Sequence, residues 1–235
     1  LLERELGWEV AYAYNTEKLG KDGTFGRTSY KEILLTRYFR QALKRLNPWL
    51  TSAQMDEAQK KMESRLSTAS LMQINEEKYA LIRDGIPVTV NRPDGKTAEK
   101  RARVIDFQTP DNNHFLAIKE LKIHGDLYRR RTDIVGFVNG IPLLFVELKK
   151  NTVDVQNAYT DNYTDYLDTI PHLFYYNAFL ILSNGLEAKV GTLGSKYEFF
   201  HEWKRLSEQE TGSVALETML RGICKKENFL DLLEN

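Results

Sequence analysis

The chain has 235 residues, of which 42% are hydrophobic and 28% are charged, a composition typical of a globular domain large enough to bury a core. Its formal net charge is zero, so a partner as anionic as a nucleic acid requires a local basic patch. The single cysteine, Cys224, excludes a disulfide framework, and neither a signal peptide nor an apolar run of roughly 20 residues is visible, so we expect a cytoplasmic protein.

The first 85 residues are predicted to be mainly helical. Ser29 with Glu32, and Thr51 with Gln54, have the spacing of a capping box at a helix start. Pro48 is predicted to end the first long helix, because proline cannot continue it. The chain opens without methionine, and we expect it to begin inside a helix. In residue numbers, the predicted elements are the end of a helix at 1–6, a loop at 11–28, and helices at 29–46, 51–65 and 70–83.

Residues 86–192 are predicted to form the sheet, because apolar and polar residues alternate with the period of a strand at 86–123 and the later strands are strongly apolar runs. Asp106 and His114 flank the loop between two of the strands. Either side chain could face a metal ion, but we expect Asp106 to cap the loop and His114 to end a strand. The predicted strands span 87–91, 101–107, 114–123, 174–183 and 187–192, with a turn at 93–95.

A polar helix is predicted at 154–168, after the central strands of this region. It carries Tyr159, Tyr163 and Tyr166 at spacings that place their side chains on one helix face. Core packing is the expected role of these rings, and stacking on nucleotides is the alternative. The tail at 197–235 is predicted to be a helical connector that leads to a further domain.

The segment at 129–150 organises the chain. It consists of two apolar runs joined by Asn139-Gly140, the strongest short signal for a β-hairpin. A strict two-residue turn sets Asp133 and Glu147 on opposite faces of the hairpin, whereas a turn with a bulge at Gly140 pairs them on one face. We predict the bulged register, or a bend near Asp133, because carboxylates that end two apolar strands need a shared partner.

A cation site is predicted where this hairpin opens. Clustered carboxylates repel one another and lose hydration unless a cation lies between them. Mg²⁺ takes oxygen ligands and usually only one or two carboxylates, so Asp133, Glu147 and the Leu148 carbonyl are candidate ligands. Lys149 would hold a water molecule or stabilise charge on an attacked phosphate. The alternative is that both strands end in charged residues because they reach solvent, but their buried, apolar character favours a functional site.

A basic patch flanks these acids. Arg129-Arg130-Arg131 leads into the hairpin, and Lys149-Lys150 closes it. A solvated charge run is the common role of such residues, but their position beside the acids favours contact with a phosphate backbone. We predict that Arg130, Arg131 and Lys150 contact nucleic acid.

Other common functional motifs are absent from the sequence. No G-x-x-x-x-G-K-[ST] phosphate loop is present, so we expect no ATP binding by that route. One cysteine and four scattered histidines do not form the spacing of a zinc site. The sequence signature of Ser-His-Asp chemistry is missing as well.

Taken together, these residues resemble a known family. The order Asp133, Glu147, Lys149 resembles the PD-(D/E)xK nuclease motif, and this resemblance implies that they are the catalytic residues. The wider sequence resembles the N-terminal nuclease domain of the type I restriction enzyme R subunit, of the HsdR type. The resemblance covers nearly the whole chain through ALKRLNP at 42–48, NEEKYALIRDGIPV at 75–88, VIDFQTPDNNHFLAIKELKI at 104–123, the hairpin, and IPHLFYYNAFLILSNGLEAKVGT at 170–192, followed by Trp203.

The chain departs from the family pattern at two positions. The family usually has proline where this chain has Thr132, a residue that is not a ligand. Its Q-x-x-x-Y element, on the helix after the second hairpin strand, is matched best by Asn162 and Tyr166, with asparagine in place of glutamine. The resemblance implies that Asn162 and Tyr166 contact DNA, the asparagine amide having the shorter reach.

We therefore expect a single α/β domain over residues 1–235, in which a mixed central sheet is flanked by helices. It would comprise a mainly helical part at 1–85, the sheet with the hairpin at 86–192, and the helical connector at 197–235. The resemblance implies a restriction-endonuclease-like fold.

The resemblance also implies a Mg²⁺-dependent DNA endonuclease domain that cuts after translocation by a motor missing from this fragment. ATP would be needed only by that motor. The implied partners are DNA and the methylation and specificity subunits of a restriction complex. The alternative is a non-catalytic interaction module, in which the helices of residues 30–83 dock the methyltransferase core or the motor.

Overall fold

A seven-stranded mixed sheet lies at the centre of the computed structural model, which describes residues 1–65, 68–203 and 214–235. The strands are β1 (Glu9–Tyr12), β2 (Ile86–Asn91), β3 (Thr97–Ala102), β4 (Phe115–Lys119), β5 (Lys122–His124), β6 (Arg129–Arg131), β7 (Ile134–Val138), β8 (Ile141–Leu148), β9 (Phe179–Ser183), β10 (Ala188–Gly191) and β11 (His201–Glu202). The α-helices are α1 (Thr36–Leu46), α2 (Ser52–Glu63), α3 (Leu71–Asp84), α4 (Thr164–Thr169), α5 (Ala215–Ile223) and α6 (Lys226–Glu234).

The strands of the main sheet are ordered β1-β4-β7-β8-β9-β10-β11. β1 runs parallel to β4 and β8 runs parallel to β9, whereas the other neighbours are antiparallel. The remaining strands form two separate ribbons, β2–β3 and β5–β6. β7 and β8 are buried along nearly their whole length, which explains their uninterrupted apolar sequences. The predicted fold class, α/β with a mixed central sheet, is confirmed.

Capping side chains fix the start of α2 and α3. At α2, the Thr51 hydroxyl accepts from the Gln54 backbone nitrogen at 3.3 Å, and the Gln54 side chain accepts from the Thr51 nitrogen at 2.9 Å. Ser70 makes the same reciprocal pair with Gln73 at the start of α3. The predicted starts of both helices are confirmed, as is the end of α1 immediately before Asn47.

The start predicted for α1 is wrong, because the helix begins at Thr36 and not at Ser29. The Glu32 carboxylate accepts from the Thr28 hydroxyl instead of completing a capping box with Ser29. The Glu32 carbonyl accepts from Nη1 of Arg27 at 3.0 Å, and Arg27 is only 1% exposed. This buried guanidinium makes a tertiary contact that holds the segment in an irregular conformation, which local sequence spacing does not predict.

Two predicted strands differ from those in the structure. The strand predicted at 101–107 is wrong, because β3 spans Thr97–Ala102 and shares only residues 101–102 with it. Further along, the Asp106 carboxylate accepts from the backbone nitrogens of Gln108 and Thr109. The loop cap predicted for Asp106 is thus confirmed. The strand predicted at 114–123 is divided into β4 and β5 by Glu120, whose φ is 53°.

The structure also tests the predictions for residues 1–6, for the strand at 174–183 and for His114. Residues 1–6 form turns and not the end of a helix, and the unpredicted β1 follows them. The strand predicted at 174–183 begins only at Phe179, after a 3₁₀ turn at Pro171–Phe174. His114 lies at the start of β4 with Nε2 2.7 Å from a Glu9 carboxylate oxygen, as expected for a strand end.

The C-terminal helices pack into the domain. Phe229 of α6 is fully buried, with its ring centroid 5.4 Å from that of Trp8, and the Trp8 indole nitrogen donates to the Cys224 carbonyl at 2.8 Å. The tail predicted as a helical connector contains β11 as well as α5 and α6, and its residues 204–213 lie outside the described part. Whether the tail leads to a further domain stays a prediction. Within the described ranges, no helix has the length and apolarity needed to cross a bilayer.

Candidate active site

The register of the β7–β8 hairpin decides which side chains meet at its open end. Asn139 and Gly140 have φ values of 52° and 81° and form a tight two-residue turn, with Val138 opposite Ile141. The register then shifts, so that Ile134 lies opposite Val146. Continued by one residue, this register places Asp133 opposite Glu147 on the same face of the hairpin.

The predicted pairing of the two acids is therefore right, but the predicted position of the bulge is wrong. Phe137 pairs with Pro142 and Gly136 pairs with Leu144, which leaves Leu143 as the extra residue of β8. The bulge adjoins Pro142, which has no N–H to donate to the ladder, and this explains why the irregularity lies in the strand and not in the turn.

Asp133 is half-buried and held by the backbone of the neighbouring strand. Its Oδ2 accepts from the Leu148 backbone nitrogen at 2.7 Å. Burial raises the pKa of the Asp133 carboxyl above its usual range, while the bond from Leu148 and the nearby charge of Arg131 oppose that shift. The hydrogen bond from Leu148 therefore fixes the orientation of the Asp133 carboxylate. Whether the Leu148 carbonyl is a metal ligand stays a prediction.

Glu147 is the most unusual side chain of the site. It is 3% exposed, and its Oε2 has no hydrogen-bond partner in the part of the chain that the structure describes. Burial, followed by the charge of Asp133, raises the pKa of Glu147 to about 8. A buried carboxylate oxygen without a partner costs stability, so its presence indicates that a partner comes from outside the chain.

Lys149 is held by the helical segment that follows the hairpin. Its ammonium group donates to Oδ1 of Asn162. Asn162 lies in a π-helical segment, Ala158–Tyr163, immediately before α4. Such π-helical turns are rare in proteins, and those that occur are often found at functional sites. The structure therefore brings the predicted catalytic lysine and the predicted Asn162 into direct contact.

The tyrosines of this segment point into the protein. Tyr163 and Tyr166 are 1% and 5% exposed, and both rings pack edge-on against phenylalanines of the core. The Tyr166 hydroxyl donates to the Arg131 carbonyl at 3.0 Å, two residues before Asp133. Core packing is thus the confirmed role of these two rings. A contact of Asn162 or Tyr166 with DNA stays a prediction.

The predicted basic patch divides into paired and exposed residues. Arg130 forms a two-pronged ion pair with Asp165, at 2.5 and 2.7 Å, and this pair holds the pKa of Asp165 below its usual range. Arg131 and Lys150 are exposed. The Arg131 guanidinium lies 4.8 Å from the centre of the Tyr14 ring. Contact of all three cations with DNA stays a prediction, and for Arg130 it would compete with Asp165.

Glu120 belongs to the same region and was missed by sequence reasoning. Its backbone nitrogen donates to the Asp133 carbonyl at 2.9 Å, and its charge contributes to the raised pKa of Asp133. The only sequence signal is the order Glu120-Leu121-Lys122, which repeats the order of the residues at 147–149. Nothing in its spacing predicts contact with Asp133, because that contact depends on the pairing of β4 with β7.

The donor set fits a small divalent cation. Asp133 and Glu147 present carboxylates to one region, and one oxygen of Glu147 has no protein partner among the described residues. No group of three or more histidine, cysteine, aspartate or glutamate side chains that could hold a metal ion occurs in the described ranges. Mg²⁺ is usually bound by only one or two carboxylates, with water completing its coordination, so a Mg²⁺ site does not require three such side chains.

Comparison with known proteins covers almost the whole chain. The family described as "Type I restriction enzyme R protein N terminus" matches residues 1–199. The Type I restriction enzyme HindI endonuclease subunit of Haemophilus influenzae is 31% identical over 239 residues, which covers 98% of this chain and 22% of that protein. A Methanocaldococcus jannaschii protein, provisionally named the type I restriction enzyme MjaIXP endonuclease subunit, is 26% identical over 233 residues and 89% of this chain.

This chain spans only about a fifth of the length of these relatives, 22% in both cases. The match nevertheless includes the hairpin, the acids at its open end and the segment that holds Lys149, since all of them lie within residues 1–199. The chain belongs to the family of type I restriction enzyme R protein N termini.

Proposed function

We propose that this domain hydrolyses phosphodiester bonds of DNA with the help of Mg²⁺, and that Asp133, Glu147 and Lys149 carry the reaction. The observation that supports this most is the buried Glu147 oxygen without a partner, on the same face as the Asp133 carboxylate. The order of the three residues is that of PD-(D/E)xK nucleases. The names of the relatives, endonuclease subunits of type I restriction enzymes, agree with a nuclease role.

Each residue of the site has a separate role in this proposal. Asp133 and Glu147 would hold Mg²⁺, which when bound supplies positive charge to polarise the phosphate and activate water. Asp133 is kept in place by its bond from Leu148. Lys149 would orient the attacking water and stabilise negative charge that develops on the phosphate oxygens. Because its ammonium is already bonded to Asn162, it loses little freedom when the phosphate arrives.

We further propose that the domain acts within a longer restriction enzyme subunit, and that its cuts follow ATP-driven translocation by a motor region. Methylation and specificity subunits would then choose the DNA. The printed names of the relatives support this assembly, because each is named as one subunit of a type I restriction enzyme.

Calorimetry tests the metal site directly. Mg²⁺ and Mn²⁺ are titrated into the parent chain, Asp133→Ala, Glu147→Ala and the control Glu99→Gln, which changes an exposed acid of β3. We expect binding in the parent and the control, and its loss in both alanine variants with folding intact. The parent and the control should likewise cut plasmid DNA, and both alanine variants should fail to cut it.

The same titration separates the proposal from the interaction module predicted as the alternative. Binding that is unchanged in both alanine variants would refute the carboxylate site. A parent chain that binds neither cation, even with duplex DNA present, and cuts no DNA would favour the interaction module.

A further inference from the structure

The short ribbon that precedes Asp133 has one strongly basic face. β5 and β6 pair antiparallel, with Lys122 opposite Arg131 and His124 opposite Arg129. Side chains alternate along a strand, so these four residues share one face. Burial lowers the pKa of His124, so the positive charge of this face comes from Lys122, Arg129 and Arg131. The opposite face holds the buried Ile123 and Arg130, whose guanidinium is bound by Asp165. Arg130 therefore anchors the ribbon to α4, and the other cations point away from this anchor.

Direct ion pairs do not balance the charge of this face in the described part of the chain. Like charges directly opposite one another destabilise an antiparallel pair. In the part of the chain that the structure describes, no acidic side chain forms an ion pair with Lys122, Arg129 or Arg131. Lys122 and Arg131 share only the ring of Tyr14, at 4.9 and 4.8 Å from its centre. The arrangement is therefore complementary to an anion.

The tip of the ribbon exposes two apolar side chains beside Asp126, whose carboxylate lies 2.8 Å from the Lys31 ammonium. Leu127 is 88% exposed and Tyr128 is 50% exposed, in the turn that joins the two strands. The Gly125 nitrogen donates to the Tyr128 carbonyl at 2.8 Å, which closes the turn and holds the backbone of both residues. Apolar side chains that project between cations are the pattern by which some proteins enter a DNA groove and contact or separate its bases.

The ribbon and the candidate active site are joined by one residue. Thr132 is fully buried, and its nitrogen donates to the Leu121 carbonyl at 3.1 Å, so the link between Arg131 and Asp133 is rigid. Leu127 is six residues from Asp133 in the sequence, a span of at most about 20 Å. A substrate held by the acids therefore passes within reach of the ribbon.

We infer that the β5–β6 ribbon is a docking element for double-stranded DNA. Lys122, Arg129 and Arg131 bind phosphates of the backbone, and the Leu127-Tyr128 tip contacts bases in the adjoining groove. This inference rests on the proposed function, since it takes DNA as the substrate. It adds a contact surface outside the catalytic residues and gives the exposed leucine a role.

The backbone contacts are tested by fluorescence anisotropy with a labelled duplex in EDTA, where no cutting occurs. The variants are Arg129→Ala and Arg131→Ala, and the control is Arg92→Ala, which removes an exposed arginine from the turn of the other ribbon. We expect each ribbon variant to bind more weakly and to lower the slope of log K against log salt by about 1. The Arg92 control should match the parent. Equal slopes in parent and ribbon variants would overturn the inference.

The tip is tested with 2-aminopurine placed in the duplex, whose fluorescence rises when its base is unstacked. Leu127→Ala is compared with Leu186→Ala, which truncates another exposed leucine, 68% exposed, beside the turn between β9 and β10. We expect the signal of the parent to fall at least twofold in Leu127→Ala and to persist in Leu186→Ala. Because both side chains are exposed, both variants should unfold at the midpoint of the parent. A signal that Leu127→Ala leaves unchanged at every probe position would overturn the role of the tip.

Cleavage measured in parallel separates this inference from the proposed function. If the parent cuts DNA and the ribbon variants bind and cut DNA as the parent does, the docking role of the ribbon is refuted and the proposed nuclease activity stands. If binding depends on the ribbon but no cation supports cutting, the docking surface stands and the nuclease proposal falls. A preference of the parent for single-stranded DNA over duplex would overturn the inference as well.

Discussion

The two ends of the β7–β8 hairpin differ in whether their buried polar side chains are fully hydrogen-bonded. At the closed end, Asn139 is fully buried, and its amide donates to the Val104 carbonyl and to Oδ1 of Asn113, both at 2.8 Å. Its side-chain oxygen accepts from the His114 backbone nitrogen at 2.9 Å and from Arg45 at 3.0 Å. Every polar atom of this side chain has a partner within the protein.

At the open end, Glu147 is equally enclosed but incompletely bonded. One of its oxygens has no partner in the described part of the chain, and the neighbouring charge is the like charge of Asp133. A satisfied buried network stabilises a fold, whereas an unsatisfied one costs stability and persists where function requires it. The comparison teaches that burial alone does not identify a site. A buried carboxyl oxygen without a partner, beside a second carboxylate, is a more specific signal, because the other unpartnered buried atoms among the described residues belong to His114, His172 and Asn177.

The substitution Glu147→Gln is expected to give the largest effect. The amide keeps the shape of the side chain but removes the charge that would hold Mg²⁺, so cleavage of DNA should fall by about 10³-fold. Near neutral pH and without Mg²⁺ the unfolding midpoint should change little, because the raised pKa of Glu147 keeps its buried side chain neutral, as the amide is. Cleavage assays and denaturant unfolding of one preparation check both. If Glu147→Gln cuts DNA at the parent's rate, the charge of Glu147 is not needed for cleavage, and the open end of the hairpin would have no functional role that the closed end lacks.

At the closed end, Asn139→Ala is expected to cost about 3 kcal/mol of unfolding free energy, because it leaves several buried donors and acceptors without partners. Asn139→Gly is the matched control, since glycine accepts the φ of 52° without strain. We expect the glycine variant to lose most of the same stability, and both variants to bind Mg²⁺ like the parent once folded. Urea unfolding provides the measurement. A glycine variant as stable as the parent would show that only the turn conformation matters.

The open end should also make stability depend on pH. Unfolded, Glu147 releases its proton near its ordinary pKa of 4.5, whereas folded Glu147 keeps it until about pH 8. The stabilisation from this group is therefore complete below about pH 4.5 and is lost as the pH rises to 8, by at most about 1.4 kcal/mol per pH unit. The raised pKa of Asp133 acts in the same direction.

Unfolding free energies measured from pH 5 to 8 test this dependence. Glu147→Gln should flatten the curve, and saturating Mg²⁺ should do the same for the parent by stabilising the ionised form. Asp106→Asn is the control, because the pKa of Asp106 is lowered and its contribution changes only at more acidic pH. A parent curve that is already flat without cations would contradict the raised pKa of buried Glu147.

The smallest effect is expected at Asn162, which positions Lys149 without touching the substrate in this proposal. Asn162→Ala should lower kcat about tenfold, a loss of about 1.4 kcal/mol, with KM nearly unchanged. Asn162→Gln keeps the amide and should recover part of kcat. Single-turnover cleavage separates the loss in kcat from any change in KM. Equal losses in the alanine and glutamine variants would indicate a structural role for Asn162 and no specific hold on Lys149.

The local features of this fold were predictable from sequence. The Asn139-Gly140 turn, the cap at Thr51 and the apolar central strands all follow from neighbouring residues. Strand alternation with one bulge was also enough to place the two acids on one face. These features depend on short-range geometry, which the order of residues specifies directly.

The features that sequence reasoning missed depend on distant contacts. α1 begins late because Arg27 bonds to Glu32 and to the Lys122 carbonyl, 95 residues away. The bond between Lys149 and Asn162 requires a π turn, which has no clear sequence signature. Glu120 approaches Asp133 only through the pairing of β4 with β7.

The bond between Trp8 and Cys224 has a consequence for how the domain is made. It joins residues 216 positions apart, and Phe229 completes the pocket around the indole. At roughly 5 to 20 residues per second, a ribosome needs about 10 to 40 s to synthesise the intervening chain. Throughout that interval the nascent polypeptide displays an unfilled apolar surface around Trp8, which is covered only when the segment containing Cys224 and Phe229 has been synthesised.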